Sequence, residues 1–263
     1  MRVALGVSYL GQHYAGWQIQ RDVPTVQACL ESALGRLADQ PIQTYCAGRT
    51  DAGVHGLNQV VHFDTLVERR DFSWIRGTNA YLPPDIAVQW CRFVPNEFHA
   101  RNSAVGRRYI YLLLEGPVRP ALEHGRVGWK IAALNGPAMQ AAAQYLIGEH
   151  DFSSFRSIQC QARSPIKQLR HLKIQRHGAY WRFEFEGSAF LHHMIRNIMG
   201  CLLAIGSGQH PPAWMQCVLK EKNRDAAAPT FMPDGLYFVG PTYAPAFELP
   251  TTTAALQWLP GSI

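Results

Sequence analysis

The chain has 263 residues, 47% hydrophobic and 17% charged, which suits one large or two modest globular domains and excludes a disordered chain. No apolar run approaches the roughly 20 residues of a membrane span, and the start, M-R-V-A-L-G-V-S-Y, lacks the apolar stretch and cleavage site of a signal peptide, so a cytoplasmic protein is expected. The net charge of +6 is uneven: residues 1–100 carry 8 Arg against 9 acids, residues 101–263 carry 17 Lys or Arg against 10, and Arg outnumbers Lys 20 to 5, a balance that suits a phosphate-rich partner.

In chain order, Arg2 to Tyr9 reads as a strand. It is followed by the glycine- and aromatic-rich connection G-Q-H-Y-A-G-W-Q-I-Q. Thr25 is placed to cap a helix whose apolar positions Val26, Leu30, Leu34 and Leu37 recur at helical spacing. Ile42 to Ala47 and Leu57 to Phe63 are strands, the second alternating Val61 and Phe63 against His62 and Asp64. Asp71 to Tyr81 is helical up to the Pro83-Pro84 stop, and Ile86 to Val94 is a strand.

The second half repeats this grammar. Arg107 to Leu114 is a strand, and Met139 to Leu146 is helical. Leu169 to Arg176 and Tyr180 to Glu186 form a hairpin about His177-Gly178-Ala179. Phe190 to Ile205 and Pro211 to Leu219 are helices, and Gly235 to Val239 is a last strand. The expected fold class is α+β, two pseudo-symmetric ferredoxin-like (βαββαβ) halves with antiparallel sheets flanking a central catalytic cleft. The halves are 1–101, an α/β half with the Asp51 loop, and 102–249, a basic α/β half, with 250–263 as a loosely attached tail.

Between the second and third strands lies A-G-R-T-D-A-G-V-H-G, residues 47–56. Gly48 and Gly53 permit positive φ or close approach of a ligand, and Arg49 and Asp51 bring opposite charges together. Asp51 is the candidate nucleophile; the alternative is a tight strand connection in which Asp51 pairs with Arg49 or caps a turn. On R-R-Y-I-Y, Tyr109 and Tyr111 share a face, so one of them stacks on a base or both are half-buried sheet residues. In F-L-H-H-M-I-R-N-I, His192 and Arg196 stand at i, i+4, and a cation in so apolar a helix wants an anionic partner, which Asp51 would supply.

Seven Lys or Arg and no acid lie from Arg156 to Arg182, either a solvated face or a phosphate track. The six cysteines form no C-x-x-C, so no zinc site or disulfide framework is indicated. There is no H-E-x-x-H, P-loop, Rossmann or nucleophile-elbow motif, so metal and cofactor chemistry are disfavoured.

The ordered motifs Y-L-G-Q-H-Y-A-G-W-Q, A-G-R-T-D-A-G-V-H-G, N-E-F-H-A-R, R-R-Y-I-Y, G-E-H-D-F-S-S-F-R, H-H-M-I-R-N-I-M-G and D-G-L-Y-F-V resemble the A-type tRNA pseudouridine synthases across roughly residues 2–249. The resemblance implies uridine isomerisation at positions 38–40 of the tRNA anticodon arm, without cofactor or metal, by a homodimer in which one tRNA touches both subunits. It implies Asp51 as nucleophile, Arg49 as an aid to base flipping, Tyr109 against the target base, Arg196 paired with Asp51, and Leu236 lining the uracil pocket. The expected RNA contacts are Asn58, Arg69, Phe98, His99, Arg101, Gln159, Arg163 and Arg170. Ile19 departs from the family, where a basic residue often follows W-Q. The competing reading is a non-catalytic tRNA-binding or folding module; a nucleoside glycosidase is disfavoured by the single carboxylate.

Overall fold

A computed structural model describes residues 1–251, which divide into two compact units, 1–106 together with 237–251, and 107–236. Both mix helices with strands.

In unit 1, β1 (Arg2–Tyr9), α1 (Val26–Ala38), β2 (Tyr45–Cys46), β3 (His55–Asp64), α2 (Asp71–Asn79) and β4 (Ile86–Val94) follow the expected βαββαβ order. β1 is antiparallel to β3 on one side and to β4 on the other. β2 shrinks from the expected six residues to two, pairing Tyr45 with His62 and Cys46 with Val61. Thr25 caps α1 as its sequence predicts, Oγ1 accepting from Ala28 N at 3.4 Å. Val3, Leu5 and Val7 of β1 meet Leu30 and Leu34 of α1 and Trp74 of α2 in one core. The opposite face is covered too, by Val94, Phe98 and Ala100 with Tyr243, Phe247 and Leu249. Burial on both faces explains why His62, expected to point outward by alternation, lies inside: its Nδ1 accepts from Ala100 N at 3.1 Å.

In unit 2, β5 (Ala104–Glu115, entering from unit 1), β6 (Gly128–Lys130), α3 (Gly136–Gln144), β7 (Gly148–Asp151), β8 (Ile166–His177), β9 (Tyr180–Gly187), α4 (Met194–Gly206) and α5 (Trp214–Glu221) follow. The strands run β5-β9-β8-β7, with β6 parallel to β5. The hairpin turn is the two-residue Gly178-Ala179, Gly178 taking φ +62. A bulge between Leu169 and His171 leaves Arg170 as the extra residue of β8.

Three differences from the sequence reading have physical causes. The last strand, β10 (Leu236–Tyr243), counts from Tyr237 with unit 1, because Tyr237 and Phe238 pair in parallel with His55 and Gly56 of β3. That pairing and β5–β6 make the sheets mixed, whereas antiparallel sheets were expected. The helix expected from Phe190 starts only at Met194, since His193 takes φ +63 and breaks it. The expected tail lies, from residue 252, outside the described residues.

Candidate active site

Loop 47–54 is held at both ends by β3. Ala47 N donates to Val60 O at 2.8 Å, and the buried Gln59 amide bonds both N and O of Gly48. Gly53 turns the chain at φ +80, and Val54 N closes the turn on Asp51 O at 3.1 Å. Asp51 stands half-buried at the turn, while Arg49, two residues earlier, is exposed.

The loop is also braced from outside by the glycine- and aromatic-rich connection after β1. Trp17 N donates to Thr50 O at 3.0 Å, Gly53 N to Tyr14 O at 3.4 Å, and Tyr9 Oη lies 2.9 Å from Thr50 Oγ1. Gly11 N donates to His55 Nδ1 at 3.0 Å, which leaves the imidazole proton on Nε2, and the same ring stacks on Tyr237 at 4.6 Å. The glycines are required by contact: a Cβ on Gly11 would sit 2.0 Å from Val54 O, and one on Gly16, at φ +97, 2.7 Å from Thr50 O. The brace is itself fixed, because the first amides of α1, Val26 N and Gln27 N, donate to Gly16 O and Trp17 O. Tyr14 anchors it again by donating to Asp85 Oδ1 at 2.6 Å. Asp51 therefore sits on a backbone whose shape is set by two other segments.

In unit 2, Tyr109 of β5 is nearly buried, with Phe190 edge-on at 5.2 Å. Tyr111 on the same face is wholly buried and donates to Met232 O at 2.9 Å, so of the two only Tyr109 retains an accessible edge. Arg196, half-buried in the first turn of α4, donates through Nε to Phe231 O at 2.8 Å. His192 precedes the helix, so its expected i, i+4 relation to Arg196 is not a helical one. Leu236 is buried where β10 begins. It follows Gly235, whose missing side chain lets the backbone lie against Leu112 O, 2.1 Å from where a Cβ would be.

The expected RNA contacts divide by exposure. Arg101, Gln159, Arg163 and Arg170 are exposed, and His99 is half-buried. Asn58 and Phe98 are interior: Asn58 Oδ1 accepts from Trp90 Nε1 at 3.0 Å, and Phe98 packs on Tyr243 and Phe247, so neither offers surface to RNA. Arg69 is exposed, donates to Leu37 O at 2.9 Å, and helps line a cavity of about 730 Å³ with no lining residue from loop 47–54. The basic run is mixed as well. Arg156 binds Cys160 O and Ala162 O within its own loop, while Arg176 pairs with Glu115 and Arg182 with Glu184.

The family described as tRNA pseudouridine synthase matches residues 6–102 and 142–244. A tRNA pseudouridine synthase A of Methylibium petroleiphilum is 65% identical over 99% of this chain and 100% of its own. Its counterpart in Paracidovorax citrulli is 62% identical with the same coverage. The chain belongs to the tRNA pseudouridine synthase family. A solved Cbf5-Nop10-Gar1 complex matches at a TM-score of 0.37 and 13% identity, over 86% of this chain and 60% of that one, too loosely to bear on the fold.

As in any tRNA pseudouridine synthase, the chemistry is an isomerisation. Asp51, Arg49, Arg196 and Leu236 lie within the matched stretches, whereas Tyr109 falls in the gap between them. Among the described residues, no helix is long and apolar enough to cross a membrane. All six cysteines are free thiols, and burial pushes Cys46 and Cys201 up to about 11.

Several residues of the family motifs have structural work that their pattern did not disclose. Asn197, wholly buried, donates to Phe155 O at 2.8 Å and accepts from Thr230 Oγ1 at 2.6 Å. Ser154, wholly buried, donates to Val218 O at 2.5 Å and accepts from Asn223 N at 3.0 Å. The signal for Asn197 was a polar residue inside an apolar helix, which must find partners when buried; Ser154, within the polar D-F-S-S-F-R, gave no such signal.

Proposed function

We propose that the protein isomerises uridine to pseudouridine at positions 38–40 in the anticodon arm of tRNA, with Asp51 as the nucleophile toward a flipped-out uridine. The reaction detaches uracil from C1′ of ribose, turns it and rejoins it through C5, conserving every atom. It consumes no oxidant, reductant or water, so its stoichiometry calls for no cofactor. Extracting the base from its stack costs about a few kcal/mol, offset by new contacts in the pocket. Exposed Arg49 fills the vacated space, Tyr109 lies against the base, and Leu236 lines the uracil pocket. Arg196 pairs with Asp51, favouring the carboxylate and fixing its direction.

The observation that carries this reading is the position of Asp51, on a loop within the family match whose backbone is braced from two sides. A nucleophile benefits from such fixation because orientation is settled before substrate arrives. The finer architecture belongs to the same proposal: two pseudo-symmetric βαββαβ halves flank a central cleft that receives the anticodon arm. The protein acts in the cytoplasm, as a homodimer in which one tRNA touches both subunits.

The test is Asp51→Asn on tRNA carrying 5-tritiated uridine. Tritium release is expected to vanish while tRNA binding survives; turnover by the variant would overturn the nucleophile assignment. Nucleoside analysis of the wild-type reaction with positional mapping separates the alternatives. Free uracil would indicate a glycosidase, and unaltered uridine a binding module.

A further inference from the structure

Two strands of unit 1 set a group of rings beside the Asp51 loop that the proposed chemistry does not use. β2 places Tyr45 opposite His62 of β3. The two rings stack, with centroids 5.1 Å apart and planes 24° from parallel. His99 closes the group, 4.6 Å from His62 and 5.7 Å from Tyr45. His62 is the buried foundation, and burial, with His99 and Arg2 nearby, lowers its pKa to about 4, so it supports the other rings as a neutral group. Tyr45 is 46% exposed, a large aromatic surface open to solvent.

A cation borders this surface. Arg101, exposed, follows His99 by two residues, and its N donates to His99 Nδ1 at 3.1 Å. Tyr45 precedes Asp51 by six residues, at most roughly 20 Å of extended chain. Unpaired RNA bases are recognised by flat rings on which they stack, with cations tracking the adjoining phosphates. A buried neutral ring, an exposed ring over it and a guanidinium group alongside supply both parts. A lone exposed tyrosine would be ordinary surface; one backed by two further rings holds its orientation.

We propose that Tyr45 and His99 form a stacking shelf for an unpaired base of the tRNA neighbouring the target uridine, with Arg101 on the flanking phosphate. The assignment rests on the reading of the chain as a tRNA uridine isomerase and adds to it a second base-binding point. The shelf holds the loop nucleotide in place while its neighbour is extracted, so it acts on substrate binding and not on bond making.

The experiment measures equilibrium binding of an unmodified tRNA anticodon stem-loop at several salt concentrations to wild type, Tyr45→Phe, Tyr45→Leu and Tyr45→Ala. Loss of one stacked base weakens binding roughly 5- to 150-fold. Leu and Ala variants are expected to show that loss with the salt slope unchanged, because no phosphate contact is removed. The Phe variant should bind as wild type does. KM should rise in the Leu variant with kcat nearly intact. Tyr45→Leu keeps the bulk of the side chain, and an unaltered thermal midpoint confirms that the fold survives. A 5-iodouridine placed beside the target should photocrosslink to Tyr45. If wild type isomerises the stem-loop but the Leu variant binds it equally well, the shelf is overturned; if wild type leaves its uridines unaltered, the isomerase reading fails first.

Discussion

Replacing Gly16 by Ala tests whether the brace determines the chemistry. At φ +97 the new side chain is strained wherever it points, and a left-handed residue costs about 1–2 kcal/mol. Its Cβ would also sit 2.7 Å from Thr50 O and 3.1 Å from Asp51 C, whereas ordinary contact begins at 3.4 Å. Relief requires the Thr50–Asp51 peptide to move about 0.7 Å, the difference between 2.7 and 3.4 Å. Misplacing a reacting group by 1 Å can cost about 100-fold in rate, so kcat for tritium release should fall roughly 10- to 100-fold. The thermal midpoint should drop by only about 2–8 °C. Gly208→Ala is the control: φ is +77, yet nothing lies within 4 Å of its Cβ. It should show a similar drop in midpoint with kcat intact. Equal kcat for Gly16→Ala and wild type would refute the idea that the brace sets the position of Asp51.

His62 carries a pH dependence: its pKa of about 4 lies below the ordinary 6.5, so its contribution to stability is complete above about pH 6.5 and is lost as pH falls toward 4. The loss at pH 5 is on the order of 2 kcal/mol, and urea denaturation of His62→Asn against wild type at pH 7 and pH 5 should show a flatter profile for the variant. Asn197→Ala removes partners from Phe155 O and Thr230 Oγ1 and should destabilise the fold by about 1–3 kcal/mol in the same assay. Arg163→Ala and Arg170→Ala should each weaken tRNA binding and flatten its log-log salt dependence by roughly 0.7–0.9 per lost phosphate contact. An unchanged slope would return that arginine to the solvated surface.

The sequence disclosed most where one periodicity served one burial pattern. Val26, Leu30 and Leu34 recur at helical spacing because a single face of α1 meets the core, and Thr25 caps it as read. It disclosed less in β3, where both faces are covered and His62 is drawn inside despite the alternation around it. The start of α4 was hidden because Phe190 to Ile205 is apolar throughout, while the break depends on the left-handed backbone of His193. Short β6 and β7 carry too few residues for any period to show. At the site, Arg49 and Asp51 stood out by type and spacing, yet the need for Gly11 and Gly16 became visible only with Val54 O and Thr50 O beside them. Asn58 and Phe98 mark the opposite failure, since a polar or aromatic residue near a basic segment gives no sign of whether it faces inward.

The pairing of Tyr237 and Phe238 with His55 and Gly56 also has a meaning in time. A ribosome releases the Asp51 loop and its brace first, and the strand that runs beside the end of that loop emerges only after Leu236. A nascent chain stopped before Tyr237 would carry Asp51, Arg49 and every brace residue, yet lack the ring that stacks on His55. The order of synthesis thus delays completion of the Asp51 loop until Tyr237 has emerged, and truncated products arising upstream leave that loop unfinished.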